Sequence, residues 1–378
     1  MKVAIIADPI DNQKGGIHVY TRELVRALAA HGREHEYLIV RERHDPELRA
    51  MEQLPIPNFR FGLGLSALRL FFYVPWVLRK HQVDAVLEPA HFGPFNLPAR
   101  IRRITMMHDL TPILFPQYHN WHSQQLQRWF LPGILKRAAL VLSNSQNTER
   151  DLHQHYPQTR GKVKTILLGA DHLQRQRTES RAYLDEIGLA QPYLLSVGTI
   201  EPRKNLVRLL EAYTSFRQAV PQAVRLVIAG QRGWKSEAFF EALQRHPYQK
   251  DILLPGFVPD AGLTELYSHA LGMVYPSEYE GFGFPVLEAY SCGCPVVCAD
   301  NSSLPEVGGK WAFYHDAHDS SSLAQALLRF YQSPASKRLE LQHALSAWAS
   351  RFTWAGYVKE LEQALTELSA GRDECLKT

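Results

Sequence analysis

The strongest signal for chemistry is Glu280-Gly-Phe-Gly-Phe-Pro-Val-Leu-Glu288, two carboxylates bracketing a glycine loop. The spacing predicts a strand over 272–275, a turn at Pro276-Ser277, and a helix that Pro285 opens at its first position. Glycines at 281 and 283 allow the backbone to approach a ligand closely. A loop entering a helix N-terminus turns free N–H groups toward an anion. Glu280 before the helix and Glu288 inside it are acceptor-only groups, suited to sugar hydroxyls and to a ribose diol. The bland alternative is a capped helix start with two surface glutamates.

A second constellation is Gly198-Thr-Ile-Glu-Pro-Arg-Lys-Asn205, after a strand over 193–197. Ligands bind at the carboxyl edge of a parallel sheet, in loops of this kind. Arg203 and Lys204 can neutralise a diphosphate and its leaving charge without a metal. Two solvated cations at a helix start would oppose the helix dipole unless an anion is present. The loop Asn12-Gln-Lys-Gly-Gly-Ile-His-Val-Tyr20 contributes Gly15 and Gly16 at the first strand–helix junction, as a tight turn or a phosphate cradle. His108, in Met107-His-Asp109, ends a strand over 104–107 and points toward a crevice, as a sugar contact or a satisfied structural histidine.

These loops need a parallel scaffold. Short apolar runs at 3–7, 37–40, 85–87, 104–107, 140–143 and 163–166 alternate with helical periods at 20–31, 65–80, 126–137 and 147–155. The rhythm lapses over the polar stretch 172–190, read as linker with a lead-in helix. It resumes with strands at 193–197, 225–229, 252–254, 272–275, 295–299 and 312–314, separated by helices at 206–219, 236–245, 261–269, 285–292 and 320–331. Two successive α/β halves follow, with no short repeat. A closing helix over 354–369 carries Tyr357, Leu361, Leu365 and Leu368 on one side.

Of the 378 residues, 45% are hydrophobic and 21% charged, an ordinary globular balance that argues against disorder. A net charge of +4 is too small for bulk nucleic-acid binding, so no nucleic-acid partner is expected. Cys292, Cys294 and Cys298 lack the pairing of a metal site and read as small residues around a buried strand in a reducing cytoplasm. The N-terminal run is too short for a signal sequence and reads as the first buried strand. Residues 61–78 are the most apolar stretch, but Arg69 and Pro75 interrupt them. They read either as a helix packed on the sheet or as an interfacial membrane helix flanked by Arg60, Arg69, Arg79 and Lys80.

The Glu280-to-Glu288 element, the 198–205 loop, the Gly15-Gly16 loop and the His108-Asp109 pair, in this order along nearly the whole chain, resemble the family 4 retaining glycosyltransferases. The resemblance implies the GT-B fold: two Rossmann-like domains whose parallel sheets face across a cleft, and a C-terminal helix crossing back to the first. It places an N-terminal acceptor-side domain at 1–172, a linker at 173–190, a nucleotide-sugar domain at 191–353 and the crossover helix and tail at 354–378. Glu280 matches the glutamate beside the donor sugar, His108 the sugar-side histidine, and Arg203 and Lys204 the basic pair on the diphosphate. Gly16, with Gly15, matches the phosphate-contacting glycine loop. Phe282 and Gly283 match backbone donors to the sugar, followed on the donor side by Phe284, Val286 and Leu287, and Glu288 matches the ribose glutamate. Val258, in Gly256-Phe-Val258, matches a segment against the nucleobase. Thr199 stands where many members carry an arginine, a role that passes to Arg203.

The resemblance further implies retention of configuration by front-side attack, with no metal or other cofactor and with the nucleotide sugar as substrate. The Glu-Pro-Arg-Lys-Asn variant resembles bacterial mannosyltransferases of lipopolysaccharide O-antigen and capsule assembly. That implies GDP-mannose as donor, a glycan acceptor linked to undecaprenyl diphosphate, and a cytoplasmic protein touching the inner membrane through residues 57–80. Alternatives are GDP-rhamnose or a UDP-sugar as donor, or a catalytically silent binding subunit. A non-hydrolysing epimerase should lack the two spaced glutamates, and a glycogen-type phosphorylase needs a longer chain.

Overall fold

The computed structural model describes residues 1–12, 16–49, 51–56, 68–91, 93–94, 96–118, 121–173 and 177–375. The backbone forms two compact units, Met1–His172 with Thr353–Thr378, and Leu173–Phe352.

In the first unit, β1 (Lys2–Ile6), β2 (Glu36–Arg41), β3 (Glu52–Pro55), β4 (Ala85–Glu88), β5 (Arg102–Met107), β6 (Ala138–Ser143) and β7 (Val163–Thr165) form one seven-stranded sheet in the order β3-β2-β1-β4-β5-β6-β7. Each neighbouring pair is parallel. Helices cover both faces, so the strands read as unbroken apolar runs rather than alternating ones. Ala4, Ile6, Leu38, Val40 and Val86 pack with Val74, Val77 and Leu78 in one core. Met107 and Val141 pack with Leu131, Leu135 and Leu152 in another. The helix Gln146–His155 starts where Ser145 Oγ accepts the Thr148 N–H at 3.1 Å, an N-cap. Strand β3 was not anticipated: Glu-Gln-Leu-Pro has neither β-branched residues nor an apolar alternation, and it is an edge strand.

Of the helix expected at 65–80, residues 65–67 lie outside the described residues, as do residues 57–64 of the expected membrane-contact segment. The remainder is a π-helical turn, Arg69–Tyr73, running into an α-helix, Val74–Lys80. The π-turn closes where the Val74 N–H reaches the Arg69 carbonyl, just ahead of Pro75, which has no N–H to continue the ladder. The expectation that Arg69 flanks a membrane surface is overturned. Arg69 is buried, with Nη1 and Nη2 2.5 and 2.9 Å from the two Asp8 oxygens. Burial raises the Asp8 carboxyl above its ordinary range, against the opposing pull of Arg69. No helix among the described residues is long and apolar enough to cross a membrane.

The closing helix is Trp354–Cys375, longer than its apolar stripe required. Trp354 opens it, its backbone N–H on Asp171 Oδ1 and its indole N–H on His172 Nδ1, both at 2.9 Å. Farther along, Glu362 Oε1 accepts from the backbone N–H groups of Arg33 (2.8 Å) and Glu34 (2.9 Å) and from the Tyr37 hydroxyl (3.0 Å). One buried carboxylate thus satisfies the turn after the helix Gly16–His31.

In the second unit, β8 (Tyr193–Val197), β9 (Arg225–Ala229), β10 (Ile252–Gly256), β11 (Gly272–Tyr275), β12 (Val296–Ala299) and β13 (Phe313–His315) form a parallel six-stranded sheet in the order β10-β9-β8-β11-β12-β13. The helices Leu206–Ala219 and Ser320–Tyr331 begin and end where the sequence placed them, and their Leu210, Tyr213, Phe216, Leu327 and Phe330 fill the core under the sheet. The stretch 173–190 is not a free linker where it is described. The Thr178 N–H bonds Ser268 Oγ at 3.1 Å, and Glu265 receives Ser180 Oγ at 2.5 Å and the Tyr183 N–H at 2.8 Å. Both sheets are doubly wound, with the order reversing between β1 and β4 and between β8 and β11.

Candidate active site

In the second sheet, the loops leaving β8 and β11 flank the point where strand order reverses, which is where a doubly wound sheet leaves a crevice. They carry the two constellations singled out from the sequence. The β8 loop makes a 3₁₀ turn, Pro202–Lys204, and then Asn205 in the left-handed region (φ 58°) before the helix Leu206–Ala219 begins. Proline presets the turn, and asparagine is among the few residues that tolerate the left-handed step. The Asn205 amide fixes it by donating to the carbonyls of Pro276 (3.1 Å) and Ala317 (2.7 Å). Arg203 and Lys204 are thereby presented to the β11 loop.

There they meet Glu280. Lys204 Nζ lies 2.6 Å from Glu280 Oε1 and 2.6 Å from the Tyr275 hydroxyl, and it sits 4.7 Å from the Tyr275 ring centre. Arg203 Nη1 lies 2.7 Å from Glu280 Oε2 and donates to the Tyr279 carbonyl at 2.8 Å, while Nη2 lies 2.6 Å from Glu201 Oε1. Burial works to raise the Glu280 carboxyl, but the charges of Arg203 and Lys204 outweigh it and hold the group at about 2. Burial pulls the Lys204 ammonium below its ordinary value against the pull of Glu280. Arg203 is pushed above its ordinary value, burial opposing and Glu280 and Glu201 driving the rise. The result is a fixed, charged hydrogen-bonding surface at the sheet edge.

The Glu280 loop is clasped from β12. Ser303 Oγ, fully buried, points at the carbonyls of Glu280 (2.9 Å) and Phe282 (2.7 Å). Ser302 Oγ accepts the Glu280 N–H at 3.0 Å, with Ser302 itself left-handed at φ 49°, and Asn301 Nδ2 donates to the Glu278 carbonyl at 2.8 Å. Sequence reasoning missed this clasp, because Asn301-Ser302-Ser303 looks like any polar loop. Gly283 caps the helix Phe284–Ser291 at φ 114°, a conformation closed to other residues, and brings no side chain to the cap. Phe284 takes the first helical position expected for Pro285, which comes second. Phe282 and Phe284 meet edge to face at 5.2 Å. Glu288 is not drawn into the Glu280 cluster. It sits one turn into the helix and accepts the Tyr267 hydroxyl at 2.9 Å. Val286 and Leu287, expected on the donor side, are fully buried among the core residues.

Glycines end three adjacent strands of this unit, at 198, 230 and 256, a pattern that sequence reasoning passed over. At Gly230 a Cβ would run into the Gly198 carbonyl, so the loops after β8 and β9 touch backbone to backbone. They are zipped by Ile200 N–H to Gln231 O (2.9 Å) and Gly233 N–H to Ile200 O (3.0 Å). Thr199 is exposed on this surface. After β10, the Val258 side chain is buried while Phe257 stands 70% exposed. Phe257 therefore offers the free aromatic face at this strand end.

In the first unit, Gly15 lies outside the described residues, and Gly16 opens the helix Gly16–His31, with open space where a Cβ would stand. His108 follows β5. Its Nε2 is 2.8 Å from the Pro89 carbonyl, which can only accept, so Nε2 carries the proton and Nδ1 is left as an acceptor. Burial holds the ring below its ordinary value, hence neutral at pH 7. Tyr20 packs its ring edgewise on His108 at 4.8 Å, and its hydroxyl meets the Tyr357 hydroxyl at 2.6 Å. Neither tyrosine was anticipated in this role. Asp109 serves the fold, taking the N–H (2.9 Å) and hydroxyl (2.7 Å) of Thr111. Beneath, at the end of β4, Glu88 lies buried 3.4 Å from Arg103, and burial raises its carboxyl to about 7 against the pull of that arginine. Among the described residues no group of three or more His, Cys, Asp or Glu side chains is placed to hold a metal ion. Cys292, Cys294 and Cys298 are buried.

Residues 185–350 match the family described as Glycosyl transferases group 1, and residues 14–172 match Glycosyltransferase Family 4. The chain is similar to O-antigen chain mannosyltransferase B of Escherichia coli, 31% identical over 373 residues, which span 94% of this chain and 96% of that protein. Among solved structures, sucrose-phosphate synthase from Thermosynechococcus elongatus superposes with a TM-score of 0.76 at 20% identity, over 98% of this chain and all (100%) of that one. Anabaena HepE, solved with UDP and glucose, superposes with a TM-score of 0.71 at 19% identity, over 97% and 100% of the two chains.

Proposed function

This chain belongs to the glycosyltransferase family that joins a Family 4 half to a group 1 half, with the GT-B fold, and on that premise we propose that it transfers mannose from GDP-mannose to a growing, lipid-linked glycan with retention of configuration. The observation that carries the reading is the contact of Arg203 and Lys204 with Glu280 at the strand-order reversal of the second sheet. The mannose assignment is supported by the kinship with an O-antigen mannosyltransferase along nearly the whole chain. Its Glu-Pro-Arg-Lys-Asn loop supports it too.

In this reading Arg203, Lys204 and the N-terminus of the helix Phe284–Ser291 receive the diphosphate, and the backbone at Phe282 and Gly283 meets the sugar. Glu280, ionised throughout the working pH range, accepts hydroxyl hydrogen bonds from the sugar, and Glu288 accepts them from the ribose. Phe257 and the backbone at Val258 lie against the base. His108 offers Nδ1 to a hydroxyl of the transferred sugar or of the acceptor. The bond between the anomeric carbon and the phosphate oxygen breaks as the acceptor oxygen attacks from the same face. The acceptor's proton passes to the departing phosphate oxygen. Charge developing there is stabilised by the two cations, which makes a divalent metal unnecessary.

We place the membrane contact on Leu68, Phe72, Tyr73 and Trp76, which the first unit leaves exposed beside Arg79 and Lys80. Phe72 is 60% and Trp76 54% exposed, and Lys80 stands 5.7 Å over the Trp76 ring. Aromatics beside cations suit an anionic lipid surface.

A panel of nucleotide sugars incubated with an undecaprenyl-diphosphate-linked acceptor tests the activity. GDP-mannose should give acceptor-dependent GDP release, and GDP should raise the melting temperature more than UDP. The reverse order would reject the GDP-sugar assignment, and no acceptor-dependent release from any donor would reject transfer altogether.

A further inference from the structure

Glu201 is a buried carboxylate that the reaction above does not use. It caps the 3₁₀ turn Pro202–Lys204 from an extended backbone, and its side chain makes no capping bond. Its Oε1 lies 2.6 Å from Arg203 Nη2, and its Oε2 is buried with no hydrogen-bond partner among the described residues. The loop does not depend on this side chain for its path. Backbone bonds from Ile200 to Gln231 (2.9 Å) and from Glu278 to Arg203 (2.9 Å), together with the Asn205 amide, already fix it. A buried, half-satisfied carboxylate is costly, and one beside a cation that must receive an anion also opposes that anion.

We propose that Glu201 is a positioning residue that clamps Arg203 from the side opposite Glu280 and trims the charge of the diphosphate site, so that the nucleoside diphosphate leaves after transfer. The inference rests on the assignment of Arg203 and Lys204 to the diphosphate. The two cations are matched by two carboxylates, Glu280 and Glu201, at hydrogen-bonding distance. The site thus grips the diphosphate through directed N–H groups rather than through net charge. An unbalanced pair of cations would bind the departing product more tightly than the donor, because the product carries one more negative charge once it has released the acceptor's proton to solvent. Glu201 holds the guanidinium when Glu280 turns to sugar hydroxyls.

The test titrates GDP and UDP separately against the full-length protein and its variants, alongside steady-state transfer. Glu201→Gln keeps an acceptor for Arg203 but removes a charge. It should bind the preferred diphosphate on the order of tenfold more tightly, the scale of one unit charge at about 10 Å in a medium of effective dielectric near 20. Its kcat should fall and its product inhibition should strengthen. Damage to the site would loosen binding instead, so the direction of the change separates the two. Glu201→Asp keeps the charge while shortening the reach; it should leave diphosphate affinity within about twofold and raise the donor KM. Unchanged or weaker binding by Glu201→Gln overturns the proposal, as does failure of that variant to fold, which would assign the carboxylate to stability. Arg203→Ala should lose diphosphate affinity. If it does not, the diphosphate assignment itself fails, whatever Glu201 does.

Discussion

Replacing Glu280 by Gln removes the anion shared by Lys204 and Arg203 while keeping the shape of the side chain. The carboxyl sits at about 2 in the folded protein against an ordinary 4.5. That depression corresponds to roughly 3 kcal/mol of stability from ionised Glu280. Because the folded value lies below the unfolded one, this contribution is complete above about pH 4.5 and is lost as pH falls toward 2. At pH 7 Glu280→Gln should therefore cost the second unit about 3 kcal/mol, within the range for breaking a buried pair. Lys204 would keep the Tyr275 hydroxyl at 2.6 Å and Arg203 would keep Glu201, so the loss should not double. Since the chain has two compact units, a single unfolding midpoint would blur the effect. Amide hydrogen exchange read on β8 and β11, in the full chain, isolates it. Lys204→Met alone and the double variant complete a cycle in which the two losses should fall short of additivity by at least about 1 kcal/mol. Transfer should disappear in Glu280→Gln while GDP still binds. Unchanged protection of β11, or additive losses, would refute the coupling, and retained transfer would refute the role of Glu280 at the sugar.

Three further outcomes follow from the geometry. His108 is held neutral by burial below its ordinary 6.5, so transfer should stay level from pH 8 to 6.5 and decline only below; a midpoint at or above 6.5 would contradict this. Tyr357→Phe leaves the buried Tyr20 hydroxyl without its 2.6 Å partner and should cost about 1–3 kcal/mol, with Tyr20→Phe added on top recovering part of it, as thermal unfolding of the single and double variants would show. Trp76→Ala combined with Phe72→Ala should weaken co-sedimentation with anionic vesicles several-fold without changing GDP affinity; binding that persists would move the lipid contact elsewhere.

The sheets were legible because parallel strands buried on both faces read as unbroken runs of Val, Ile and Leu, as in β1 and β9. Edge strand β3 was not, since an edge needs no apolar alternation. Residue type, proline placement and loop position singled out the loops that carry Arg203, Lys204 and Glu280, but not the contact between them. What sequence could not show was which polar side chains hold the site from a distance. Ser302 and Ser303 act through carbonyls and amides some twenty residues away. Tyr20 and Tyr357 meet across 337 positions. Arg69 was misread for the same reason: flanked by aromatics it looks interfacial, and only the fold brings Asp8 beneath it.

The first unit is discontinuous in sequence, because Thr353–Thr378 belongs to it and Leu173–Phe352 does not. A ribosome therefore delivers the whole second unit before it delivers the helix that bears Trp354, Tyr357 and Glu362. Until then the turn after His31 lacks its carboxylate and Tyr20 lacks its hydroxyl partner. The nascent first half waits incomplete through roughly 180 residues of translation, about ten to forty seconds at about 5–20 residues per second. A stalled or prematurely terminated chain thus yields a finished second unit joined to an unfinished first one, a natural substrate for chaperones and proteases.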